Sequence, residues 1–142
     1  MKAHLCICGL VCSALVPTGV AVAKSTLLQT VDLTDMSMST EGGEARLYRT
    51  GDLKHGVCRI EAVHFGEIGK AIYVFDFGSK LYAAERSEYR YDLPIHTSTN
   101  LKATLTEKTT LASREGRKTL LKDLETYKAL FDARKLARCS GR

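Results

Sequence analysis

The middle of the chain alternates apolar and polar residues with a period of two, in segments divided by glycine-containing turns. This pattern, rich in Tyr, Phe, Ile and Val, is typical of β-strands. The predicted strands are Ala45–Arg49, Val57–Phe65, Ala71–Phe77 and Leu81–Tyr91. Because the intervening turns are short, we expect neighbouring strands to run antiparallel as a meander.

The flanking segments add two weaker strand signals. Residues 24–43 are polar with scattered apolar positions, so we expect a loosely ordered segment with a short strand near Thr30–Leu33. Glu41–Glu44 (EGGE) predicts a turn, since its glycines adopt positive φ without steric cost. A threonine-rich stretch predicts another strand near Lys102–Lys108. The sheet should therefore have four to six strands.

The alternation also assigns side chains to faces of the predicted strands. In the second strand Cys58, Ile60, Ala62 and His64 lie opposite Val57, Val63 and Phe65. In the third, Ala71, Tyr73, Phe75 and Phe77 share a face. In the fourth, Leu81, Ala83, Glu85, Ser87, Tyr89 and Tyr91 oppose Tyr82, Ala84, Arg86, Glu88 and Arg90.

The C-terminal segment changes to helical periodicity. An apolar stripe recurs at Leu120, Leu124, Tyr127 and Phe131. Ser113 can cap the start of this helix, and the basic residues Arg134, Lys135 and Arg138 suit its last turn. Gly116 should weaken the first turn by up to about 1 kcal/mol relative to Ala. We therefore predict an α+β fold, an antiparallel β-meander of four to six strands with one long C-terminal helix covering one face.

The N-terminus has the features of a removable signal peptide, residues 1–23. Lys2 is followed by the apolar run Leu5–Val16, a break at Pro17 and the small-residue sequence Ala21–Ala23. The run is shorter than the roughly 20 residues of a membrane span. The alternatives are a buried N-terminal helix and lipid attachment at Cys12, although Val11 occupies the position that lipid attachment reserves for a small residue. We expect one exported domain, residues 24–142, periplasmic or secreted and without a stable membrane span after cleavage.

Charge and cysteine content agree with this compartment. The net charge of +5 includes Lys2, and the charges are interleaved, as on a solvated surface. Attraction to an anionic envelope component is the functional alternative. Nucleic acid is not an expected partner, because the chain has no basic-aromatic recognition motif. Removal of the leader leaves Cys58 and Cys139, which predict one disulfide closing a loop of about 80 residues, with two free thiols as the alternative.

Motifs for catalysis or cofactor binding are absent from the sequence. Gly66–Lys70 (GEIGK) departs from the phosphate-loop pattern in spacing and in the residue after its Lys. The histidines that follow the leader, His55, His64 and His96, show no metal-ligand spacing. No nucleophile motif is present. We expect neither metal nor cofactor, and the sequence favours a protein that is not an enzyme.

Three motifs lie along the central region: STEGGE at residues 39–44, G-E-x-G-K at residues 66–70 and Y-x-Y-x-x-P-I at residues 89–95. In these motifs the chain resembles a group of small uncharacterised exported bacterial proteins. The resemblance covers about residues 39–95 and leaves out the predicted helix and Cys139. It implies a bacterial envelope protein with a meandering sheet, and it implies no activity and no functional residue.

The leading hypothesis is an exported, non-enzymatic binding domain that recognises a protein or envelope component through a face or edge of its sheet. Tyr and Arg are enriched in binding hot spots. The candidate binding residues form one dense aromatic and basic strand: Tyr82, Arg86, Tyr89, Arg90 and Tyr91. Packing of these tyrosines beneath the helix is the alternative. The rival function is a small exported hydrolase that brings His64, His96 and a Glu together in space.

Overall fold

The computed structural model describes residues 25–34, 41–50 and 58–140. The predicted signal peptide lies outside these ranges, as do Val57 and His55.

Within these ranges, six strands form one antiparallel sheet in the order in which they occur along the chain. Their bounds are β1 Thr26–Asp32, β2 Gly43–Arg49, β3 Cys58–Gly66, β4 Gly69–Phe77, β5 Leu81–Tyr91 and β6 Ala103–Thr110. A single 3₁₀ turn, Ile95–Thr97, separates β5 from β6. Two helices follow, α1 Arg114–Lys128 and α2 Ala133–Ala137. The predicted α+β meander is confirmed.

The core lies between one face of the sheet and α1. Alternate residues of β3, Cys58, Ile60, Ala62 and His64, are buried on this face, as are Tyr73, Phe75 and Phe77 of β4. Leu120, Leu124 and Tyr127 of α1 cover them. Each fully buried large apolar side chain contributes about 1.5–3 kcal/mol relative to an exposed one. The amphipathic stripe of α1 is thus what closes the core.

A β-bulge interrupts the alternation predicted for β5. Asp76 pairs with Ala83 and Phe77 pairs with Leu81, so Tyr82 is an extra residue in the strand. Because Leu81 lies opposite the core residue Phe77, it joins the face of Ala84 and packs against the core. The prediction that Leu81 shares a face with Ala83 is therefore wrong.

The C-terminal helix is shorter than the apolar stripe suggested. Ser113 caps α1 as predicted, since its Oγ accepts a hydrogen bond from the Gly116 amide at 2.9 Å. The helix ends at Lys128, and Asp132 in extended backbone geometry starts α2 by accepting the Arg134 amide. The amide of Asp132 donates to Gln29 Oε1 of β1 at 3.0 Å, which fixes this break against the sheet edge.

Two local features predicted from the sequence, a glycine turn and a disulfide, are present in the structure. Gly42 has φ of +96°, as expected for the turn predicted before β2. A disulfide joins Cys58 at the start of β3 to Cys139 beyond α2, with Cα atoms 5.3 Å apart. The predicted cysteine pair is confirmed, and it ties the helical segment to the sheet.

Candidate functional site: an open sheet face and a buried polar layer

The sheet has a second face that no described helix covers. We call it the open face. It presents a group of half-buried apolar and aromatic side chains from β3, β4 and β5, which we call the apolar centre: Val63, Phe65, Ile72, Val74, Tyr89 and Tyr91. Val63 lies directly opposite Ile72, so the two side chains form a cross-strand pair. An apolar centre that is only partly shielded from water is a common property of binding surfaces.

Charged side chains surround this apolar centre, and oppositely charged neighbours pair on the same face. Arg59 donates two hydrogen bonds to the carboxylate of Asp76, at 2.7 and 2.9 Å. Lys108 pairs with Glu85 at 2.8 Å, and Arg46 pairs with Glu44. The hydrogen bond from Lys108 holds the pKa of Glu85 below its usual value. The rim is therefore polar without a concentration of one charge.

The five candidate binding residues on β5 do not share one surface. Tyr89 and Tyr91 lie on the open face, whereas Arg86 and Arg90 alternate with them and project on the α1 side. Tyr82 is exposed in the bulge, with the Lys80 ammonium 5.2 Å from its ring centre. The structure brings together only Tyr89 and Tyr91 of this set.

Arg86 belongs instead to a polar layer between the sheet and α1. This layer comprises side chains from β3, β4, β5 and α1: His64, Tyr73, Arg86, Glu88, Asp123 and Tyr127. His64 Nε2 lies 2.5 Å from the Tyr127 hydroxyl. The Arg86 guanidinium pairs with Glu88 and lies 5.6 Å from the ring centre of Tyr73. Tyr73 and Tyr127 pack with their ring centres 5.1 Å apart.

Burial dominates the protonation of this layer. It lowers the pKa of His64 and raises the pKa of Asp123 and of Tyr127. The cause is the same for all three groups, because burial disfavours the charged form, which is the protonated form of His and the deprotonated form of Asp and Tyr. Among the described residues, His64 Nδ1, Arg86 Nε and Asp123 Oδ2 are buried without a hydrogen-bond partner. Such groups are uncommon in folded proteins and call for a physical explanation.

A depression of about 330 Å³ adjoins the layer at the β3–β4 turn. His64 and Glu88 both line it, together with Gly66 and Ala71. His96 lies in the exposed 3₁₀ turn and does not line it. Of the His64, His96 and Glu side chains expected to form a hydrolase site, the depression therefore brings together only His64 and Glu88.

The described residues include no cluster of three or more His, Cys, Asp or Glu side chains able to hold a metal ion. Neither α1 nor α2 combines the length and apolar character needed to cross a membrane.

Sequence reasoning missed Asp123 and the role of Tyr127. Tyr127 was recognised only as part of the apolar stripe, although its hydroxyl requires a partner when buried. Asp123 lies one helical turn before Tyr127, so both side chains reach the same part of the sheet. The sequence signal for this layer was a carboxylate, Asp123, beside the apolar stripe of the helix. Its partner becomes evident only when the fold places Arg86 of β5 near it.

Comparison of the chain with protein-family models, curated proteins and solved structures finds no match.

Proposed function

We propose that this protein is an exported, non-enzymatic binding domain whose open face engages a protein partner. The observation that carries the proposal is the uncovered apolar centre of that face, with Val63, Ile72 and Tyr89 half-buried and surrounded by paired charges. Protein interfaces combine an apolar core with a polar rim in this way. The signal-like N-terminus and the Cys58–Cys139 disulfide support a periplasmic or secreted location.

The charge distribution favours a protein over an anionic envelope polymer. Recognition of a polyanion by charge requires a surplus of basic groups on the contacting surface. On the open face Arg46, Arg59 and Lys108 each pair with a neighbouring carboxylate, and the ammonium of Lys70 lies 5.4 Å from the ring centre of Tyr89. The net positive charge of the chain is therefore not concentrated where the apolar centre lies.

The geometry offers less support for a hydrolase. A general base must reach the proton that it abstracts. His64 is only 6% exposed, its Nε2 is engaged by Tyr127, and its Nδ1 is buried. Glu88 is paired with Arg86. The two candidate groups beside the depression are thus occupied by internal contacts.

The test uses the full chain in its native host with a photo-crosslinking residue at Val74, at the centre of the open face. We expect a crosslinked partner from Val74 and none from Lys122, which is exposed on α1. Tyr89 and Arg90 supply a matched pair, since they are adjacent in sequence and project to opposite faces. Tyr89→Ala should strongly reduce capture, and Arg90→Ala should leave it unchanged.

Both variants should melt near the wild-type temperature, because Tyr89 is only half-buried and Arg90 is exposed. Equal capture from Val74 and Lys122 would refute the assignment of the open face. So would capture that survives Tyr89→Ala but is lost in Arg90→Ala.

A further inference from the structure

His64 separates the hairpin-end depression from the interior of the protein. It lines the depression on one side and contacts Tyr127 of α1 on the other. With one ring nitrogen hydrogen-bonded to Tyr127 and the other unpartnered among the described residues, the side chain is well accommodated only as a neutral imidazole. It therefore lies between the depression and the contact of Tyr127 with the sheet.

Two tyrosine rings contact His64, and the other titratable groups of the polar layer come from β5 and α1. Tyr73 projects from β4, Tyr127 and Asp123 from α1, and Arg86 and Glu88 from β5. Glu88 is paired with Arg86, and Asp123 also interacts electrostatically with Arg86. Within the described residues, neither carboxylate forms a hydrogen bond or ion pair with the imidazole. Neither carboxylate is therefore positioned to compensate a charge on His64 in the closed form.

We propose that His64 is an acid-sensitive latch that holds the last turn of α1 against the sheet when neutral and releases it when protonated. An imidazolium carries two N–H donors. One can donate to the Tyr127 hydroxyl, whereas the other has no acceptor within the described residues, and no carboxylate pairs with the buried charge. Burying an unpaired charge is costly, so separation of Tyr127 from His64 and entry of water become favourable.

The two ends of the helical segment remain tethered when the latch opens. Before α1, only residues 111–113 connect it to β6. Beyond α2, Cys139 is bonded to Cys58 of β3. Opening is consequently local and reversible, since the segment cannot move far from the sheet and closes again when His64 loses its proton.

The sign of the pH dependence follows from burial. Because burial lowers the pKa of His64, the open form binds the proton more readily, and opening increases as pH falls below the ordinary histidine value of about 6.5. Asp123 acts in the opposite direction. Burial raises its pKa, so its protonation favours the closed form as pH falls. A variant that removes the Asp123 charge is needed to separate the two effects.

The experiment is amide hydrogen exchange followed by mass spectrometry on the full, disulfide-bonded protein. Exchange is compared at about pH 7.5 and about pH 5.5, on either side of the ordinary histidine pKa, with correction for the intrinsic pH effect. We expect α1 to lose protection at the lower pH while the β3–β4 hairpin keeps it. His64→Phe and His64→Gln should abolish this loss, and His96→Ala, which alters an exposed histidine, should not. Asp123→Asn should enlarge it.

Three results would overturn the latch: wild-type α1 protection that does not change with pH, the same loss in both His64 variants, or a loss that extends equally through the hairpin. His64→Phe retains the packing of the ring, and His64→Gln retains a neutral hydrogen-bonding group. If one of these variants does not fold, the other still tests whether the pH-dependent loss of protection requires His64. None of these outcomes depends on whether the open face binds a partner.

Discussion

At the scale of single residues, the approach of α1 to the sheet depends on the absence of one side chain. Gly116 is buried in the first turn of α1. A Cβ atom at this position would overlap the carbonyl oxygen of Thr110 and lie 2.8 Å from Ser113 Oγ. The expectation that Gly116 simply weakens the helix is therefore incomplete, because the residue also permits close packing onto β6.

We expect Gly116→Ala to destabilise the protein although Ala has the higher helix propensity. Propensity favours Ala by about 1 kcal/mol, whereas overpacking against backbone costs about 1–3 kcal/mol. Urea denaturation should show a lower free energy of unfolding. Lys118→Ala, at an exposed position of the same helix, serves as the control and should change stability little. A Gly116→Ala protein more stable than wild type would contradict the packing argument.

At the scale of elements, local pattern was sufficient where the strands are regular. The bounds of β5 match the predicted Leu81–Tyr91, and the predicted face of Cys58, Ile60, Ala62 and His64 is buried. The alternation failed at Tyr82, since a bulge is set by pairing with the neighbouring strand and not by the strand's own sequence. The end of α1 was missed for a related reason, because the hydrogen bond from Asp132 to Gln29 joins residues far apart in sequence.

The candidate sites were less predictable than the elements. The density of Tyr and Arg on β5 identified Tyr89 and Tyr91, which the structure places on the open face. Because side chains alternate along a strand, Arg86 and Arg90 project from the opposite face of the sheet. The polar layer could not be foreseen, because it forms only when α1 crosses β4 and β5 and brings Asp123 and Tyr127 to Arg86 and His64.

The cap of α1 is an element whose stability can be measured directly. Ser113→Ala removes the acceptor for the Gly116 amide and should reduce the free energy of unfolding by about 1 kcal/mol. Ser113→Asp keeps an acceptor at the cap and adds a negative charge at the helix N-terminus, so it should retain most of the stability. Equal denaturation midpoints for Ser113→Ala and wild type would show that the cap does not contribute.

At the scale of the whole molecule, each of the six described strands pairs with the strand next to it in sequence, and the helical segment returns across the sheet. Neighbouring pairs close short loops, whose entropic cost is small. The return of α1 and α2 is the long-range step, and the Cys58–Cys139 bond spans 81 residues to secure it. The disulfide therefore stabilises the packing of the helical segment on the sheet, which strand pairing alone does not hold in place.

Removal of this bond should produce the largest loss of stability among these substitutions. For a loop of this length the chain-entropy argument gives about 4 kcal/mol, and loss of a native disulfide from a small domain typically costs 2–5 kcal/mol. Cys58→Ala/Cys139→Ala should accordingly lower the denaturation midpoint, and reductant should destabilise the wild type while leaving the double variant unaffected. Both sulfurs belong to buried residues, so part of the loss will reflect packing. A double variant as stable as the oxidised protein would mean that contacts of Leu120, Leu124 and Tyr127 alone hold the helical segment in place.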